Sequence, residues 1–458
     1  MNLQGAENMK RNKVSVAVGM FAVFAFAAVA PAATKSGEVV INGVTWQYKD
    51  RDDEKLTVTL GADGGDWTLE SYKTAMPKGT VLDAASIPWV MEIEGKRYTV
   101  TEVWEFAFAG CSKLAGTLSI PDAVKKTGER SFYNTGITKI ESLGGVQNFG
   151  TYTFYDSKSL AGNFPDLSNV TSFGTGPLMS CPKLTGEARV NDSLASITYR
   201  TFRGSSLDRM HISRSVTSVG RESFMGTKLA ALVIPGPNDV LSGSQTYTTI
   251  DGRASFSGCK ELSVLVFGKN TKGGNHTTGT MLDTVSGCTV FLPANGKWTG
   301  LVTGGTDNEV VAYGPDEDLD IIIDEAVENL TAVPKTQAML EKVLSVAAVL
   351  KERCNLNMRI EIAEDFALAE GAITEAMLAG IRPCALHFTF AATTQARLDQ
   401  VLAAVPASLE LTVDPAGAKE PLAVPPGRNL WVLLPGDGKF TPYVTGSGVG
   451  FKRGKVSR

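Results

Sequence analysis

Three histidines, His211, His276 and His387, are the side chains with which this chain would most readily bind a metal or move a proton near neutral pH. They lie far apart in the sequence, and none has a partner at H-x-x-x-H spacing. The stretches TGGTD (303–307) and PGDGK (435–439) contain glycine but lack the strand–loop–helix setting that cradles a phosphate. Neither a G-x-S-x-G elbow nor a G-x-x-x-x-G-K-[ST] loop occurs. Two carboxylate runs, Asp52-Asp53-Glu54 and Asp316-Glu317-Asp318, read as solvated loops. A calcium site is the alternative there, since hard cations need convergent oxygens. Six cysteines include no C-x-x-C pair, which argues against a zinc or dithiol redox site of that form. No catalytic residue, metal site or cofactor is expected, and the reading is a non-enzyme.

What does recur is a phenylalanine. Phe108, Phe132, Phe154, Phe202, Phe224 and Phe256 form a series, with Leu178 filling the missing beat. The steps are 24, 22, 24, 24 and 22 residues from Phe108 to Phe224, then 32 to Phe256. A unit of this length cannot close a core alone, so neighbouring copies must stack and share one. Each copy has two apolar tracks. One leads into the aromatic residue, as in Val216, Val219 and Phe224; the other follows it, as in Leu229, Leu232 and Ile234. The residues between are polar or small, which suits short strands with one face buried. Stacked at about 4.8 Å per copy, the Phe rings are expected to form a buried ladder. Gly110, Gly204, Gly226 and Gly258 suit the tight turn into the strand.

The phrases VTEVWEFAFAGCSKL (100–114), VTSVGRESFMGTKL (216–229) and IDGRASFSGCKEL (250–262), with Ile120-Pro121 and Ile234-Pro235 closing strands, resemble bacterial BspA-type leucine-rich-repeat surface proteins. The resemblance runs over about 100–293, in about eight copies. Several copies depart from the pattern: one ends NFPDLSNV, one carries Leu178, and 236–247 interrupts another. It implies a leucine-rich-repeat β-solenoid and an adhesive role toward host, matrix or other cells.

Around the repeats, the rest of the chain divides readily. Lys10, Arg11 and Lys13 precede an apolar run over 14–29 and then Ala30-Pro31-Ala32, so residues 1–32 read as a signal peptide. No transmembrane anchor is expected after cleavage. Residues 33–99 alternate like strands and hold Trp46, Trp67 and Trp89, an N-terminal β-rich cap or else a glycan-stacking platform. Residues 294–317 read as terminal cap and linker. From 318 to 458 a separate C-terminal α+β (or α/β) domain is expected. It has a helix over 336–352, strands at MRIEIA, ALHFTF and LELTV, and a tail hairpin turning at Gly436-Asp437-Gly438.

Cys111, Cys181, Cys259 and Cys288 occupy repeat-equivalent positions and read as buried thiols, while Cys354 and Cys384 form a possible disulfide. Formal net charge is −4 and no basic patch argues for nucleic acid. The exposed strand row, Ser119, Glu141, Arg189, His211, Val233 and Val266, is the place for binding, with Glu141, Arg189 and His211 as candidate contacts. Together these features point to an exported protein, secreted, displayed on the cell surface or periplasmic, that binds an extracellular protein or glycan. A structural cell-envelope scaffold is the alternative, and an enzyme with its site in the C-terminal domain is the third.

Overall fold

The computed structural model describes residues 35–62, 71–237, 248–251, 253–274, 281–294, 296, 298, 304–324, 329–379, 381, 386–416, 418–426, 428, 430–434, 444–445 and 449–453. The expected targeting segment lies outside these. Residues from Lys35 to Arg458 form one compact unit. Among the described residues no helix is long and apolar enough to cross a membrane. Most of the fold is parallel β-sheet with few helices.

The Phe positions build the core. Phe108, Phe132, Phe154, Phe202, Phe224 and Phe256 are all fully buried. Phe108 stacks on Phe132 at 5.1 Å between ring centroids, Phe132 on Phe154 at 5.1 Å, Phe202 on Phe224 at 5.8 Å and Phe224 on Phe256 at 5.3 Å. Leu178 breaks the stack, and the irregular copy beside it supplies the missing rings. Phe164, from NFPDLSNV, and Phe173 both meet Phe202 edge-on, at 5.9 and 6.2 Å. At the open N-terminal end the buried Trp46 indole meets Phe108 edge-on at 6.3 Å, which covers the first ring of the stack.

Backbone conformation explains why the turn repeats so faithfully. The residue two before each anchor has positive φ: Phe106, Arg130, Tyr152, Gly176, Arg200, Glu222 and Ala254. So does the residue two after: Gly110, Asn134, Asp156, Ser180, Gly204, Gly226 and Gly258. A left-handed non-glycine residue costs roughly 1–2 kcal/mol. Inter-copy hydrogen bonds offset that cost. Arg200, Phe202 and Gly204 donate their N–H groups to Arg221 O, Ser223 O and Met225 O of the next copy, and the same triplet of bonds recurs at Phe106, Phe108 and Gly110 and at Glu222, Phe224 and Gly226.

Beyond the turn, each copy contributes a strand to an outer face made of three successive parallel sheets: one holds Leu114–Ser119 and Gly136–Ser142, the next Ala161–Asn163, Lys183–Arg189 and Ser206–His211, and the last Ala231–Ile234, Val264–Phe267, Thr289–Pro293 and Glu309–Tyr313. In the first five, the outward residues are mostly polar and solvent-facing. In Ala231–Ile234 and Val264–Phe267 every residue is buried. The outward Val233 and Val266, expected to be exposed, are instead covered by helix α1 (Gln337–Cys354), so the expected row is cut short after His211.

That helix also packs on strands Asn329–Pro334 and Asn357–Ile362 of a C-terminal seven-stranded sheet. A second core, distinct from the Phe core, therefore joins Ala231, Val233, Val264, Val266, Phe291 and Val311 to the C-terminal segment. The expectation of a separate domain is not confirmed by this packing. Arg214 donates to Ile323 O and Asp324 O, both at 2.6 Å, and the buried Tyr313 hydroxyl donates to Phe267 O, tying the seam further.

The C-terminal segment is itself repetitive. After an antiparallel first pair, its strands Asn329–Pro334, Asn357–Ile362, Leu386–Ala391, Leu411–Asp414, Leu430–Leu434 and Val449–Arg453 lie parallel and in chain order. Helices α1, α2 (Glu375–Leu378) and α3 (Gln395–Ala404) open with Thr-Gln-Ala-Met-Leu, Thr-Glu-Ala-Met-Leu and Thr-Gln-Ala-Arg-Leu. In each, the threonine side chain caps the helix by accepting from the amide three residues on. Gln337 and Gln395 then donate to Ala372 O and Ala423 O of the segment that follows, at 2.8 and 3.0 Å. The expected tail hairpin is corrected by this topology, because Leu430–Leu434 and Val449–Arg453 pair in parallel. Its turn at Gly436-Asp437-Gly438 lies outside the described residues.

Two stability predictions follow from the two cores. Phe202→Ala removes a ring held by three others, Phe164, Phe173 and Phe224, and should cost about 3–5 kcal/mol in urea unfolding. Val233→Asp buries a carboxylate without a partner under α1 and should destabilise by several kcal/mol. The Val233→Asp loss should appear first as protease sensitivity in residues 318–458, read by limited proteolysis and mass spectrometry.

Candidate functional site

Strands Lys183–Arg189 and Ser206–His211 run in parallel register, with Arg189 opposite His211 and Glu187 opposite Arg209. Arg189 and His211 are therefore neighbours, both exposed. Arg189 pairs with Glu187 of its own strand at 3.3 Å. Glu141 is also exposed and ion-paired with Lys139, but the structure does not bring it to the other two. Glu141 belongs to a different hydrogen-bonded sheet, with Ala161–Asn163 at the near edge of theirs. A register shift also pairs Ser119 with Ser142 and leaves Glu141 in the irregularity.

The turns carry a second surface, made by the positive-φ column two residues before each anchor and the columns beside it. At one end Tyr72 stacks on Phe106 at 5.0 Å, and Arg130 lies over both Phe106 and Tyr152, 5.7 and 5.0 Å from their centroids. Tyr152 packs against Tyr155 at 5.3 Å, and Tyr155 stacks on Tyr133 at 5.5 Å. The next copy has Gly176 in this column. A Cβ there would come within 2.9 Å of the Tyr152 ring, so glycine leaves room for that ring.

Arg200 belongs to a charge cluster. The Glu222 carboxylate, 5% exposed, accepts from Arg200 Nε at 2.8 Å and from Arg203, and pairs with Arg221 Nε at 2.8 Å. Burial alone would raise the Glu222 pKa, but the Arg200 hydrogen bond and the charges of Arg203, Arg200 and Arg221 outweigh it and hold the carboxyl below its ordinary range. Tyr199 lies beneath two of these guanidinium groups, 4.3 Å from Arg200 and 5.9 Å from Arg221. Three guanidinium groups on one carboxylate leave a net local charge of +2. The neighbouring Arg253 is paired with Asp251 at 2.6 Å.

Sequence reasoning missed this cluster because its column shows no shared residue type. The signal was the turn itself: Arg200 and Glu222 stand at the same offset before Phe202 and Phe224, so adjacent copies had to bring them together.

The remaining candidates resolve individually. His387 is exposed on the C-terminal sheet, and His276 lies outside the described residues. Among the described residues no cluster of histidine, cysteine and carboxylate groups could hold a metal. Asp53 is tied into the cap by Arg51, Lys35 and Tyr98. Cys111, Cys181 and Cys259 are free and buried three residues after their anchors, and Cys288 is free and buried three residues after Val285, which holds the anchor position of the last copy. At that offset the thiols of Cys181 and Cys259 donate to Phe154 O and Phe224 O of the preceding copy, at 3.2 and 3.0 Å. Burial pushes the Cys181 and Cys288 thiols up to about 12, so neither supplies a thiolate near neutral pH. Cys354 is free, packed against the Val233 backbone, and Cys384 lies outside the described residues.

A stack of short parallel strands with one aromatic or leucine anchor per copy is the architecture of a leucine-rich repeat, and the sequence comparison agrees. Residues 92–186 and 179–276 match the BspA type Leucine rich repeat region, in six copies. This part of the chain is a BspA-type leucine-rich-repeat region. Solved structures similar to the chain include a leucine rich cell surface protein from Faecalibacterium prausnitzii A2-165, with 13% identity over 81% of this chain and 98% of that one, at a TM-score of 0.37. A leucine-rich repeat protein from Bacteroides ovatus ATCC 8483 shares 15% identity over 82% and 94%, with a TM-score of 0.26. The pneumococcal vaccine antigen PcpA shares 13% over 82% and 98%, with a TM-score of 0.33. Superposition over the whole chain is loose in all three. No curated protein matches the sequence.

The Glu222 cluster has a pH signature. A carboxyl whose folded pKa is depressed contributes stability that is complete above its ordinary value of 4.5 and is lost as pH falls through the lower folded value. Glu222→Gln should therefore be less stable than wild type at pH 7, and the gap should narrow below pH 4.5 in parallel urea titrations. A gap independent of pH would assign the loss to packing instead.

Proposed function

We propose that this is an exported, surface-displayed or secreted leucine-rich-repeat protein that binds an extracellular macromolecule and carries no catalytic activity. The observation that supports this reading most is the division of the repeat sheet. Strands Ala231–Ile234 and Val264–Phe267 are covered by α1, which also reaches Ser206–His211, whereas the strands from Leu114 to Arg189 turn a mostly polar face to solvent. Lys139 and Glu141, and Glu187 and Arg189, place alternating charges on that face, with His211 beside Arg189. Arrays of this kind offer specificity through charge complementarity rather than an apolar pocket. Glu141, Arg189 and His211 are the residues proposed to meet the partner.

Because the C-terminal segment shares a core with the last repeats, the test uses the mature chain intact. Residues 33–458 are incubated with extracellular-matrix proteins and, separately, with the producing cell's own envelope. Saturable retention on a foreign protein is expected, weakened at least tenfold in the triple variant Glu141→Lys, Arg189→Glu, His211→Asp at unchanged melting temperature. Retention on the cell's own envelope alone would favour the scaffold reading.

A further inference from the structure

The turn face offers a site of a different kind from the strand face. Between Tyr133 and Arg221 it presents half-buried tyrosine rings on two copies and a guanidinium cluster two copies further on, with Gly176 between them. The guanidinium groups are held in place rather than free. Arg200 and Arg221 lie against Tyr199 and all three arginines are anchored on a carboxylate that is almost wholly buried, yet the Arg203 and Arg221 side chains stay 30% and 45% exposed. A cation fork fixed on its inner edge and open on its outer edge is preorganised for an incoming oxyanion, and the surplus charge of +2 favours one. The spacing from tyrosines to cluster is set by the stacking of rigid copies, about 10 Å for two copies at sheet spacing.

We propose that this face, Tyr133, Tyr155, Arg200, Arg203 and Arg221 around Glu222, binds an acidic polysaccharide, whose uronate or sulfate groups engage the arginines while its sugar rings lie on the tyrosines. An extended peptide fits less well. The turn N–H groups at Arg200, Phe202 and Gly204, and at Tyr152, Phe154 and Asp156, are all donated to the next copy, so the face offers no strand edge to a peptide main chain. A polymer of sugar rings with acidic groups needs no such edge, and tyrosine presents an amphipathic surface that suits the C–H faces of those rings. This deepens the binding reading above by naming a partner class, but on a face that shares no residue with Glu141, Arg189 and His211.

The test measures binding of the intact mature chain to polygalacturonate, dextran sulfate, neutral dextran and poly-L-glutamate by titration calorimetry at two salt concentrations. Salt-sensitive binding to polygalacturonate or dextran sulfate, absent with neutral dextran, is expected. The uronate and sulfate arms separate the two sources of negative charge. Arg203→Gln with Arg221→Gln should weaken it at least tenfold while the Arg200–Glu222 pair preserves the fold. Should that double variant melt early, Arg221→Gln alone should still weaken binding severalfold. The strand-face triple variant should bind as wild type does, which keeps this site's failure distinct from failure of the strand-face reading. No binding to either acidic polysaccharide, equal binding by wild type and the arginine variants, or tighter binding of poly-L-glutamate would each overturn the proposal.

Discussion

From the copy of Phe108 to that of Phe224, each copy of the first array hands three backbone N–H groups to the next, and the rest of the structure depends on that transfer. It requires a turn with left-handed residues two before and two after the anchor. The turn aims the anchor ring inward at a constant height, which is why Phe108, Phe132 and Phe154 stack at 5.1 Å instead of interleaving. It also places a small donor three residues later. Ser157, Cys181 and Cys259 there each donate to the carbonyl of the preceding anchor, Phe132, Phe154 or Phe224. Cysteine in these copies behaves as a polarizable serine. Neither redox chemistry nor metal binding is needed to explain its recurrence.

An array built this way has two ends to cover, and the chain covers them differently. The first ring meets Trp46 from the antiparallel strands at the N-terminal end. Toward the other end the outward face of the strands becomes apolar and receives α1, so the covering element lies across the sheet as well as beyond it. The same helix begins a second array with its own rule. Where the first array is anchored by an aromatic side chain, the second is punctuated by a threonine cap and a glutamine that reaches into the following segment.

The first array was legible because its constraints act on side-chain identity: the anchor, the glycine after it and the cysteine beyond it recur as letters. The left-handed position before the anchor was not. Phe106, Arg130, Tyr152, Glu222 and Ala254 share a backbone shape sustained by inter-copy hydrogen bonds, and no composition reports it. The charge cluster is hidden for the same reason. The covered strands did carry a signal, since ALVI (231–234) and VLVF (264–267) are apolar on both faces, as a strand buried on two sides must be. The C-terminal tail was misread because a parallel strand pair leaves no local mark to distinguish it from a hairpin. The threonine-capped repeat escaped notice because its two closest copies, at Thr336 and Thr394, stand 58 residues apart with a shorter one between.

The seam made by α1 divides the molecule into a part that can change in copy number and a part that cannot. Adding or deleting a whole unit before Ser206 would alter the open face by one strand, about 4.8 Å, and leave the fitted surfaces untouched. A unit added later would separate Phe267 from Tyr313, Arg214 from Ile323 and Lys269 from Asp320, all of which hold the second array in place. Length variation among descendants of such a gene should therefore accumulate upstream of Ser206, so that reach over a target can evolve while the docked end stays constant.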